Sequence, residues 1–209
     1  MSKYLSDNNV QYKTMILTGQ GQVSLMPNIA VIRLGVQTTG ENLAEIQSEN
    51  AQKAQAILQT LQRIGISDVK TFQYSIDKIY DYENGQQVDR GYSVRNIIEI
   101  RMNTMDQVGR VIDDSVNAGA NIVDLITFEV SNREFYYQQA LNLAVINAIQ
   151  KAKSISLNLG INADPIPVRI TENSTMSIPF QQFQREVAAT PIVPGNIRIE
   201  ANVTVEFVY

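Results

Sequence analysis

The stretch Ile197–Tyr209 alternates without a break. Ile197, Ile199, Ala201, Val203, Val205, Phe207 and Tyr209 fall on one parity, and mostly polar residues fall on the other. Successive side chains of a strand point to opposite faces, so this pattern commits the stretch to a strand with one buried face. The segment Lys13–Leu25 makes the same commitment. Met15, Leu17, Gly19, Gly21, Val23 and Leu25 share one parity, against Thr14, Thr18, Gln20, Gln22 and Ser24. Glycines at Gly19 and Gly21 predict a bulge or a close approach of another backbone.

Between these two strands the period switches repeatedly. After the turn at Pro27-Asn28, Ile29–Thr38 reads as a second strand. From Glu41 to Ile64 the apolar positions adopt three-and-four spacing through Leu43, Ile46, Asn50, Ala54, Ile57, Leu58, Leu61 and Ile64, the stripe of an amphipathic helix. Thr38 or Thr39 with Glu41 suggests a capping box, and Gly65 a left-handed stop. Strands over Val69–Tyr82 and Val88–Met102 flank Asn84-Gly85, the signature of a tight hairpin turn. A second helix runs from Thr104 to Gly119, burying Val108, Val111, Ile112 and Val116, and a strand follows over Ile122–Val130. Ser131 and Glu134 open the longest helix, which ends near Gly160 with Leu141, Ala144, Val145, Ala148, Ile149, Ala152 and Ile155 as its stripe. Val168–Glu172 reads as a further strand. The expected fold is α+β, a two-layer sandwich of one mainly antiparallel sheet with three helices on one face. Residues 1–12 read as a flexible tail and 13–209 as a single domain, with a long loop over 173–194.

Missing residue types narrow the chemistry. The chain has no Cys and no His, which removes disulfides, thiolate metal sites, thiol nucleophiles and the side chain that titrates nearest neutrality. A net charge of −4 and a pI near 4.9 argue against a phosphate backbone as the main partner. No apolar run approaches the roughly 20 residues that span a bilayer. The polar start, Met1 to Tyr12, lacks a signal-peptide layout, so the chain as it stands is expected in the cytoplasm. A removed leader would place it instead in the periplasm or at the cell surface.

Several stretches, taken in order, resemble the SIMPL-domain family. They are Thr18-Gly19-Gln20-Gly21-Gln22-Val23, Pro27-Asn28-Ile29-Ala30, Gly35-Val36-Gln37-Thr38, Asn50, Leu61 to Ile66, Gly91-Tyr92-Ser93-Val94-Arg95-Asn96, Val116-Asn117-Ala118-Gly119-Ala120-Asn121, and the helix from Ala140-Leu141 to Gly160. Asn28 stands where the family usually has Asp. The resemblance implies a bacterial protein linked to oxidative-stress defence or to periplasmic immunogenic antigens. It further implies frequent self-association and no established catalytic residues.

Gly19-Gln20-Gly21 lacks the third glycine of a dinucleotide loop, since Ser24 occupies that place, and it continues as strand. Asp77, Asp81, Glu83 and Asp89 surround the hairpin with Lys78 and Arg90 among them, a spacing unlike a calcium loop. Tyr74, Tyr80, Tyr82 and Tyr92 near Arg90 and Arg95 suit a protein contact better than stacked bases in an acidic chain. Asp113 and Asp114 are adjacent on a helix and point about 100° apart, which prevents easy proton sharing. The expectation is therefore a non-enzymatic homo-oligomer without metal, cofactor or nucleic acid. Its contact residues are expected among Tyr80, Tyr82, Tyr92, Ile178, Phe180, Phe183, Val205 and Phe207. The alternative is a monomeric binding module for a small ligand or protein partner.

Overall fold

The structure, a computed structural model, describes residues 13–161, 164–173, 192 and 194–209. The described residues form strands β1 (Thr14–Leu25), β2 (Ile29–Gly40), β3 (Val69–Glu83), β4 (Gln86–Met102), β5 (Ile122–Glu129), β6 (Ile166–Glu172) and β7 (Ile197–Val208). The helices are α1 (Leu43–Arg63), α2 (Val108–Asn117) and α3 (Arg133–Asn158), with a short 3-10 turn at Met105–Gln107. The α+β class is as expected. In place of one sheet there are two, ordered β1-β7-β6 and β3-β4-β2-β5, with every pairing antiparallel.

The division follows from where β1 finds its partner. It pairs along its whole length with β7, from Thr14 opposite Val208 to Leu25 opposite Ile197, so it does not pair with its sequence neighbour β2. Two compact units result, one holding β1, α3, β6 and β7 and the other holding the elements from β2 to β5. Neither is a continuous stretch of chain, and no linker composition marks their division. Both edges of strand β7 are occupied, by β1 and β6.

In the first unit α3 lies against β1 and β7. Ala140, Ala144, Ala148 and Ala152 recur every fourth residue, all fully buried. A Cβ on Gly19 would stand 2.0 Å from the Ala144 carbonyl oxygen, and one on Gly21 would stand 2.0 Å from that of Ala140. Backbone meets backbone here, which only glycine on the strand and alanine on the helix allow. The buried stripe is therefore centred on the alanines, with Tyr137 and Ser156 at its ends, while Leu141, Val145 and Ile149 flank it half-buried. Ile199, Ala201, Val203, Val205 and Phe207 fill the core beneath.

In the second unit α1 and α2 pack on Ala30, Ile32, Leu34 and Val36 of β2 and on Ile98, Ile100 and Met102 of β4. Ile57, Leu61, Val108, Val111 and Ile112 supply the helical side. Val116 is exposed and Ser115 is buried in its place, its hydroxyl donating to the Val111 carbonyl. Asn50 of α1 is enclosed, and its Nδ2 donates to the carbonyls of Val36 and Val94 at 3.1 Å each. Thr38 is also buried, donating to the Ile46 carbonyl, so it does not cap α1. Asn42 does so, accepting from the amides of Ala44 and Glu45. Asn132, one residue beyond Ser131, caps α3 in the same way. Among the described residues no helix is long and apolar enough to cross a membrane.

Gly21→Ala is expected to lower the unfolding free energy by about 1–3 kcal/mol, because the added methyl overpacks a backbone contact that has no rotamer to yield. Gln22→Ala, on the exposed parity of the same strand, should leave it nearly unchanged. Urea denaturation of the two variants makes the comparison.

Candidate functional site

The β3–β4 hairpin carries three of the expected contact residues. Its turn is made by Asn84 at φ 51° and Gly85 at φ 79°, the left-handed pair that matches the twist of the flanking strands. Tyr80 and Tyr82 are exposed on β3 and Tyr92 is half-buried on β4, so the structure brings these three expected contact residues to one hairpin. Lys78 Nζ lies 3.1 Å from Asp89 Oδ2 and within 5.9 and 5.3 Å of the Tyr80 and Tyr92 ring centres. The Asp89 hydrogen bond raises the Lys78 pKa, while the Gly91 amide and then Lys78 lower that of Asp89. Arg90 pairs with Asp81 and Glu83. Asp89 thus has Lys78 to itself while Asp81 and Glu83 share Arg90, and among the described residues no cluster of three or more acidic side chains is placed to hold a metal ion.

The other expected contact residues fare differently. Val205 and Phe207 are fully buried on the core side of β7, so their side chains serve the core and present nothing to a neighbour. Ile178, Phe180 and Phe183 lie outside the described residues.

A network that the sequence reading missed runs across the four-stranded sheet, on the face opposite the apolar core. Glu99 of β4 is only 4% exposed and takes Arg33 of β2 at 2.8 Å and Lys70 of β3 at 2.9 Å. Arg33 also lies 3.6 Å over the Phe72 ring. Arg101 reaches Glu129 at 2.6 Å and Arg95 reaches Asp124 at 2.9 Å, both from β4 to β5 across β2. These pairs tie all four strands together. Lys70 and then Arg33 hold the Glu99 carboxyl below its ordinary value, against desolvation, and Glu129 raises Arg101. Each shift favours the charged form. The signal was present as charges at alternate positions of β2 and β4, but only the register shows which charges meet.

Asn28 stands where the family resemblance leads one to expect Asp. Its side chain donates to Ser131 Oγ at 2.9 Å and accepts from the Ser131 amide at 2.8 Å, a role that needs no charge.

Residues 15–207 match SIMPL, described as a protein of unknown function (DUF541). The chain belongs to the SIMPL family. Among curated relatives, the 26 kDa periplasmic immunogenic protein of Brucella melitensis is 27% identical over 186 residues, spanning 84% of this chain and 74% of that protein. Its Brucella abortus counterpart has the same identity and coverage. The uncharacterized protein YggE of Escherichia coli is 21% identical over 178 residues, spanning 84% of this chain and 72% of that protein.

Because its folded pKa is lowered, Glu99 adds stability that is present above its ordinary value of 4.5 and is lost as pH falls through the lower folded value. Glu99→Gln should cost about 2 kcal/mol at pH 7, and the gap from the unaltered protein should close in acid. Thermal unfolding of both proteins across that range measures it.

Proposed function

We propose that this SIMPL-domain protein acts without catalysis, by forming a homo-oligomer with a structural or stress-associated role. The observation that carries the reading is strand β3, an edge strand running from Val69 to Glu83. Phe72, Tyr74, Ile76, Tyr80 and Tyr82 along it are each at least 40% exposed. A long edge that exposes aromatic side chains is a template for another chain, and tyrosine supplies large contact area with a polar tip. The non-catalytic part rests on the family resemblance, which implies no established catalytic residues. The stress association rests on the family resemblance. The relatives' names support the periplasm, the second compartment left open by the sequence, and give no support to the cytoplasm.

A monomeric binding module has one feature in its favour, a shallow depression of about 370 Å³ over Gln20, Gln22, Glu200 and Asn202. Ligand sites are concave and mostly apolar, whereas this one is open and polar.

Light scattering on the eluting protein at several concentrations tests assembly. A defined multiple of 23.4 kDa that survives dilution is expected, and a monomer throughout would overturn the reading.

A further inference from the structure

The described edges of the two sheets differ in how they are protected. On β1, the Gln20 amide donates to Asn147 Oδ1 and the Thr18 carbonyl accepts from Lys151 Nζ, so α3 side chains occupy that edge. Strand β6 spans only Ile166–Glu172 and carries Pro167, which has no amide to donate. Strand β5 is short, Ile122–Glu129. Strand β3 is nearly twice as long and contains neither proline nor glycine. Register shifts at Thr71/Gln73 and Lys78/Tyr80 bound its regular run, Gln73–Lys78.

We infer that this run is where two copies join, β3 against β3 in antiparallel sense about a two-fold axis at Ile76, making one continuous sheet. The inference rests on the assembly reading above and names its contact.

Tyr74, Ile76 and Lys78 lie opposite Asn96, Val94 and Tyr92 of β4, on the side where α1 packs, and the Tyr74 hydroxyl accepts from Gln47 of α1. Gln73, Ser75 and Asp77 face the other way, opposite Ile97, Arg95 and Ser93. A two-fold axis perpendicular to a sheet keeps each face on its own side, so opposed residues must share a face and registers off by one are excluded. With Ile76 on the axis, Ile76 meets Ile76 of the second copy, Tyr74 meets Lys78, and Ser75 meets Asp77. No like charges oppose, and the Lys78 ammonium lies beside a tyrosine ring. Moving the axis to Asp77 would set Asp77 against Asp77. Moving it to Tyr74 would set Lys70 against Lys78. An axis at Ser75 brings Lys78 opposite the irregular position Phe72. Such a contact is self-complementary and closes at two copies.

Because the chain has no cysteine, single substitutions report the register directly. Under mild oxidation Ile76→Cys should form a covalent dimer in high yield, and Ser75→Cys should not. A dimer from Ser75→Cys alone would overturn the assigned axis. Ile76→Lys should weaken association at least tenfold on dilution while leaving the circular dichroism spectrum unchanged. If the native mass remains a multiple in Ile76→Lys and Ile76→Cys fails to cross-link, the β3 contact is wrong while assembly stands. A monomeric unaltered protein would sink the assembly reading itself.

Discussion

In the first unit a helix lies directly on strand backbone, and the other packing in that unit follows from this contact. With glycine at Gly19 and Gly21, the carbonyls of Ala140 and Ala144 can sit where side chains would otherwise stand. That closeness restricts the buried face of α3 to alanine and pushes the larger Leu141, Val145 and Ile149 to its flank. It also brings Asn147 and Lys151 within reach of the outer edge of β1. The core then takes its bulk from β7, whose Ile199 and Phe207 fill volume that the alanines leave. A pattern that mimics a nucleotide loop in sequence is thus a packing device.

The second unit solves a different problem. Its sheet has an apolar face covered by α1 and α2, and a charged face held by Arg33, Glu99, Lys70, Arg101 and Glu129. Buried Asn50 binds the carbonyls of β2 and β4 from the helical side, so polar groups contribute on both faces. These paired charges link β3 to the rest of the sheet through Lys70 and Glu99.

Much of this was legible in the sequence. Periodicity located the described strands and helices within a few residues, and Asn84-Gly85 marked the hairpin turn correctly. The Gly19 and Gly21 signal named a close approach without naming its partner. Strand order was not legible, because alternation says that β1 and β7 each need a partner but not that they pair with each other across the whole chain. For the same reason Val205 and Phe207 looked available for a contact, though both are buried. The Asn42 cap was missed because Thr38, the better-looking cap, is used within the core, and the Asn132 cap because Ser131 beside it is instead bonded to Asn28. The ion pairs depend on register, which periodicity does not encode.

The central claim is that β3 is an edge only in the isolated chain. Hydrogen exchange of its backbone amides, followed from dilute to concentrated protein, tests this most directly. The account predicts that amides within Gln73–Lys78 exchange quickly when dilute and become protected as copies associate, while those of β2 stay protected throughout. Fast exchange along β3 at every concentration, in a protein that still assembles, would contradict it.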